Sequence, residues 1–363
     1  MSDRIVVNSD QKTYVCYREV TNELTEHADE INEKLNSMRE MLDGMIFSVG
    51  KKPVSYELCC YIDKEINAFA CNSKVCNYLI AVSTGILTGM EEELEEYLRN
   101  QDLKKYFWGA SQNVGKHVEK VLEDILMFVV LHEYYHILNG HCDAAELMGI
   151  CIKEIATDRG KERNRFLQIM ECDADYCAAR SCMYFIAERY KDKEELKTEV
   201  CFLGFALYYI FLKFQENGYE DFDYPKNLYA KEHPPASIRF VYVFAVLAYC
   251  ISHETDERNA LEIINRTVSL GIYFDRIYYD AETFKESLSA LAYTTRGTGH
   301  IDELHMGWNA VRKKLRKFAH VKLRRNQRLN MQELSWVNCN GEIIQSKLVD
   351  NILKYCRRRC TDC

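Results

Sequence analysis

Residues 117–138 constrain the fold more than any other stretch. Val118, Val121, Leu122, Ile125, Phe128 and Val129 recur at helical spacing, and His132 and His136 extend the same face. Apolar residues at that period form a broad stripe on a helix, and such a stripe must be covered by other elements. Asn139-Gly140 supplies the stop, because glycine accepts the left-handed conformation of a helix C-cap. The chain is therefore built round a long internal helix whose last turns carry His132-Glu133-Tyr134-Tyr135-His136. Residues four apart share a helix face, so the two imidazoles stand side by side. Burying them behind Phe128-Val129-Val130-Leu131 is costly unless something satisfies them. A zinc ion does so, taking both rings as ligands. Glu133 is rotated off the pair but stays within reach of water at the metal, whose proton a carboxylate accepts.

The rest of the chain reads as mainly α (α+β). Only 4 prolines interrupt 363 residues, enough chain for roughly two domains at about 150 residues each. Between 20 and 46, Leu24, Ala28, Ile31, Leu35, Met38, Leu42 and Met45 alternate steps of four and three, which predicts a helix with one apolar seam. Packing on its own domain is the favoured use of that seam; a homo-oligomer contact is the alternative. Residues 56–62, 66–71 and 77–82 are β-branched and aromatic, with turn chemistry at Asn72-Ser73-Lys74, and predict a small antiparallel sheet. An acidic helix is expected from about Glu91, and buried helices at about 197–215 and 236–252. Residues 151–168 are expected to be loop or partly helical. Asn340-Gly341 predicts a hairpin at 335–345.

The longest apolar runs, 200–212 and 240–251, fall short of the 18 or so residues of a membrane span, so no span is expected. The 16 scattered cysteines and a polar beginning without an apolar leader suggest free thiols in a reducing cytoplasm. A net charge of −8 argues against a general nucleic-acid binder. The basic segment 312–328 is the one place where nucleic acid or an acidic partner would dock. Its interleaved Leu315, Phe318, Val321 and Leu323 predict an amphipathic helix.

A catalytic zinc keeps three protein ligands and an open position. Glu171 and Asp175 are again four apart, so their carboxylates point the same way. Glu171 is the candidate third ligand, and Asp175 would orient a ligand histidine through its free ring N–H. His233 precedes a rigid Pro234-Pro235 and is a candidate donor to an oxyanion. Arg239 would pair with Glu171 or Asp175. Cys142, Cys172 and Cys177 flank these positions, but free cysteine commonly serves as a small buried apolar residue. The closely spaced Cys356, Cys360 and Cys363 read as a tail.

In order and content these pieces resemble the zinc metallopeptidases that include HtpX, the Oma-type proteases and the CAAX prenyl endoprotease. That family's pattern of H-E-x-x-H, E-x-x-A-D and H-P-x-x-x-x-R is matched by 132–136, 171–175 and 233–239. Asn67-Ala68-Phe69 resembles its substrate-bordering strand, 83–87 the turn that follows, and His141 a second histidine that some members carry. The resemblance covers about 55–245. It implies a zincin-like gluzincin core with His132, His136 and Glu171 on Zn2+, Glu133 as general base and Asn67, Ala68 and Phe69 along the substrate. Phage-exclusion proteases of the Lit type are similar in using such a site in the cytosol. Unlike many members, this chain carries no spanning segment, which implies a soluble protein or peptide substrate. Tyr134-Tyr135 replaces the usual small residues. The expected organisation is a helical segment 1–54, a metallopeptidase domain 55–254 and a helical extension 255–363. A zinc-containing regulatory or interaction module without turnover is the alternative function.

Overall fold

The computed structural model describes residues 4–9, 12–49, 54–99, 114–152, 159–216, 228–229, 231–254 and 295–324. The expected hairpin at 335–345, the cysteines from Cys356 onward and residues 255–294 lie outside them. Among the described residues the fold is mainly helical with one five-stranded sheet. The strands are β1 Arg4–Ser9, β2 Lys12–Tyr17, β3 Tyr56–Tyr61, β4 Ala68–Ser73 and β5 Asn77–Ser83. The helices are α1 Ala28–Val49, α2 Thr84–Leu87, α3 Glu91–Arg99, α4 Val114–Leu138, α5 His141–Ile152, α6 Arg159–Arg189, α7 Lys193–Glu216, α8 Ala236–Glu254 and α9 Thr295–Leu315.

The sheet runs β1-β2-β3-β5-β4. Strand β4 folds back antiparallel on β5, with Ala68 opposite Val82 and Ser73 opposite Asn77. This leaves β5 parallel to β3, with Leu58 opposite Ile80. The sheet is thus mixed: β4 and β5 pair antiparallel across the turn residues, as expected, while β5 slots in beside β3 in parallel and β4 takes the outer edge. Side chains alternate across a strand. Leu58, Cys60, Ile80 and Val82 face the helices. Cys59, Tyr61, Leu79 and Ala81 face a second, smaller core closed by Ile5 and Cys16. With both faces covered, β3 and β5 read as near-continuous apolar runs.

Residues 1–54 were expected to be helical, but they begin as the β1–β2 hairpin. The short β-branched and aromatic runs Ile5-Val6-Val7 and Tyr14-Val15-Cys16 suit strands, with Ile5 buried and Val6 exposed. The helix with the apolar seam starts only at Ala28; Leu24 lies in the turns before it. Ala28, Ile31, Leu35, Met38 and Leu42 are all buried in the chain's own large core. That seam is therefore not open to a second copy, and the homo-oligomer contact at 20–46 is set aside. Leu35, Phe128 and Trp308, from all three expected segments, belong to that one core.

Helix α4 runs through the middle, packed against α6, α7, α3 and the edge strand β4. It ends as the Asn-Gly pair predicts, with Gly140 at φ 75°. A side chain there would meet Phe318 backbone carbon at 2.6 Å, so glycine also permits a close crossing. The basic stretch 312–328 is not one helix. Helix α9 stops at Leu315 and a strap, 316–324, crosses the end of α4. His320 N–H donates to the orphan carbonyl of Leu138 at 2.8 Å, a backbone bond that continuing α9 as a helix would forbid. Residues 325–328 lie outside the description. No described helix is long and apolar enough to cross a membrane.

Candidate metal centre

Helix α4 brings His132, Glu133 and His136 to the bottom of a cleft of ≈ 580 Å³, and α6 brings Glu171 from the side. His132 Nε2 and His136 Nε2 are 3.0 Å apart. Glu171 Oε2 is 3.3 Å from the first and Oε1 is 3.4 Å from the second. One donor atom from each residue thus falls within 4.8 Å of the others, a spacing that suits a single ion. Among the described residues this is the one such His/Cys/Asp/Glu group. Glu171 Oε2 is buried and lacks an aligned hydrogen-bond donor.

The backs of the two rings are held differently. His132 Nδ1 lies 2.9 Å from Asp175 Oδ1, a close ionic contact off the line of a straight hydrogen bond. Arg239 clamps Asp175 bidentately, Nε to Oδ2 at 2.9 Å and Nη2 to Oδ1 at 2.8 Å. It also reaches Glu171 Oε2 at 3.6 Å, and its guanidinium lies over Phe211. His136 Nδ1 meets His141 Nδ1 at 3.2 Å. With both Nδ1 atoms engaged outward, both Nε2 atoms are left for the shared centre.

Burial disfavours charge on all of these groups, but the neighbours decide the outcome. For His132, burial lowers the pKa, yet the charges of Asp175 and Glu171 override it and hold a proton up to about 10. Burial, helped by neighbouring His132, His141 and His233, pushes His136 well below its usual value despite the opposing charge of Glu171. For Glu171, burial raises the value, but His233 and His136 outweigh it and hold the carboxyl well below the usual range. The two carboxylates already face His132, His136, His233 and Arg239, and the N/N/O donor set could hold a divalent metal ion. Burial raises Glu133, which makes its carboxylate the more basic.

The remaining expected residues also lie at this cleft. Asn67, Ala68 and Phe69 line it, at the start of the edge strand β4. Phe69 packs its ring on Tyr14 at 4.9 Å on the other side of the sheet, so it meets the cleft along the strand edge. Ser83 and Thr84 fix the approach: Ser83 Oγ accepts from Asn67 N–H, and Thr84 Oγ1 from Asp63 N–H. His233 stands at the mouth with Nδ1 3.0 Å from Glu171 Oε2 and a side chain 63% exposed. Its first partner is therefore the Glu171 carboxylate rather than open cleft. The charge of Glu171 raises its pKa.

No protein-family model, curated protein or solved structure matches the chain.

Sequence reasoning passed over several residues here. Gln168, one turn before Glu171, donates its amide to the carbonyls of Leu228, Lys231 and His233 at 2.8, 2.9 and 3.3 Å, pinning the loop that carries His233. Asp173 accepts from Asn139 Nδ2 at 2.7 Å and from Arg324 Nε at 2.9 Å, and lies 3.5 Å from His141 Nε2. No local spacing marks Asp173, which lies about 200° round the helix from Glu171 and meets His141 instead. Nothing local marks Arg324. Cys142 and Cys172 stay outside the ligand group, and burial pushes both thiols up.

Proposed function

We propose that this chain is a zinc-dependent endopeptidase with a zincin-like core, of the gluzincin kind that includes HtpX, the Oma-type proteases and the CAAX prenyl endoprotease. The observation that carries the reading is the convergence of His132, His136 and Glu171 on the wall of a cleft that also holds Glu133 and an exposed strand edge. Bound there, zinc supplies Lewis-acid polarisation of the scissile carbonyl and acidifies the attacking water. The buried Glu133 carboxylate accepts the proton of that water as its oxygen bonds to the carbonyl carbon. It then delivers the proton to the amide nitrogen as the C–N bond breaks. His233, at the mouth and carrying a raised pKa, donates to the oxyanion once substrate draws it from Glu171. Asp175 and Arg239 hold His132 and Glu171 in place throughout.

An extended peptide pairs with β4 from Asn67 to Ala70, because among the described residues that edge carries no strand partner on the cleft side. Free thiols among the described residues suit a reducing cytoplasm, and the substrate is a water-soluble protein or peptide. A purely structural zinc site is normally closed by a fourth protein ligand. The described ligand group holds three, with a carboxylate base beside it, which favours turnover over a regulatory module. The decisive variant is Glu133→Gln. It is expected to retain stoichiometric zinc by metal analysis and to lose at least about a hundredfold in cleavage, the range of general-base removal. Newly generated protein termini in cells expressing wild type but not the variant would identify substrates. Equal cleavage by both proteins would refute the assignment.

A further inference from the structure

The two ligand histidines are backed by parallel arrangements, one of which comes from outside the motif-bearing region. His132 leads to Asp175 and then Arg239. His136 leads to His141 Nδ1 at 3.2 Å, His141 Nε2 to Asp173 Oδ2 at 3.5 Å, and Asp173 Oδ1 to Arg324 Nε at 2.9 Å. Arg324 lies on the strap beyond α9. Asp173 is 1% exposed, so its charge needs a partner, and Arg324 is the cation the structure sets against it. The guanidinium lies 3.8 Å from the Tyr176 ring centre and 5.4 Å from that of Trp308. Trp308 Nε1–H donates to the carbonyl of Arg324 at 3.3 Å, which fixes the backbone as well.

We propose that Arg324 is a positioning residue for the metal ligand His136, acting through Asp173 and His141. The inference rests on the metal-centre reading above. Asp173 lies 3.5 Å from the buried His141 Nε2, which no hydrogen bond engages, and its charge favours the tautomer with the proton on that nitrogen. The Nδ1 lone pair of His141 then accepts from Nδ1–H of His136. His136 in that tautomer presents its Nε2 lone pair to the centre. Arg324 holds Asp173 where it must be for this order of protons. Groups that directly back a metal ligand commonly alter affinity about 10- to 100-fold, and Arg324, two contacts further out, acts at the low end of that range. The strap is thereby part of the centre: its His320 N–H caps Leu138, and Phe318 and Ala319 lie on Gly140 between His136 and His141.

The test uses the full chain as wild type, Arg324→Met, Arg324→Lys and Leu35→Ala, the last a core variant remote from these contacts. Zn2+ affinity is measured by competition with a chromophoric chelator, and the visible spectrum of the Co2+ form is recorded. Arg324→Met is expected to bind Zn2+ about tenfold more weakly, with a changed Co2+ spectrum. Arg324→Lys keeps the charge without the planar fork and falls in between. Leu35→Ala, destabilised but folded, keeps wild-type affinity and spectrum. Wild-type affinity and spectrum in Arg324→Met overturn the proposal; should that variant not fold, the same result in Arg324→Lys does so. An affinity loss in Leu35→Ala equal to that in Arg324→Met reduces Arg324 to a structural role and overturns it too. Wild type that takes up neither metal overturns the metal-centre reading, a separate failure visible before any variant is compared.

Discussion

His300, a buried ring outside the candidate ligand group, makes the stability of the fold answer to pH. The ring is 4% exposed and Nε2–H donates to Gln168 Oε1 at 3.0 Å, while Tyr229 packs edge-on at 4.8 Å. Burial, aided by Arg296 and Arg165 against Glu303, lowers its pKa to about 4. A histidine depressed below its unfolded value of about 6.5 contributes stability that is present above pH 6.5 and lost as pH falls towards 4. The unfolded chain binds the proton first, so acid favours unfolding. The loss from this one ring comes to about 2 kcal/mol between pH 7.5 and 5. In urea unfolding, the stability gap between wild type and His300→Gln is expected to shrink by about that amount over the same interval. A gap independent of pH would mean the ring titrates normally. Gln168, the partner of this ring, also holds the His233 loop through its amide.

At the scale of elements, helix α1 is the clearest case of a pattern with two uses. Its apolar steps are equally those of an intramolecular seam and of a two-stranded coil. The structure assigns them to the core, with Leu35 fully buried. Leu35→Ala is expected to cost about 2–5 kcal/mol. Thermal unfolding should shift equally in dilute and concentrated samples; a midpoint rising with concentration would restore the oligomer contact. The same contrast runs through the other elements. Helices α4, α7 and α8 were readable because their apolar residues recur locally and their stops are local, as at Asn139-Gly140. The direction of β5 was not, because parallel pairing with β3 depends on where β4 goes and no local residue encodes that. Strand segments β1 and β2 are short and weakly patterned and, among the described residues, join the sheet through only Cys16 and Tyr17 opposite Tyr61 and Cys60. The site divides likewise. Spacing of four within a helix exposed His132 with His136 and Glu171 with Asp175. Asn139, Gln168 and Arg324 act across the tertiary fold, and Arg324 looked like one more solvated base in a charged run.

For the whole molecule, the ligand group joins α4 to α6, the His233 loop leans on it, and the strap backs it from the C-terminal side. These pieces share one continuous core with α1 and α9. An ion that binds only when they are assembled stabilises the assembly as a unit, by RT ln(1 + [L]/Kd), or about 2.7 kcal/mol at a free concentration a hundredfold above Kd. On the proposed function, chelation is expected to lower the unfolding midpoint of the wild type in one transition observed alike by tryptophan fluorescence and far-ultraviolet circular dichroism. Glu171→Gln removes one ligand charge and should lose most of the zinc-dependent increment, while its metal-free form still folds. The zinc dependence fades in acid, because the ion must displace the proton that His132 holds up to about 10. A wild-type midpoint indifferent to zinc and chelator would detach the ligand group from the stability of the fold. Two separate transitions, only one of them zinc-dependent, would divide the core that α1, α4 and α9 are described as sharing.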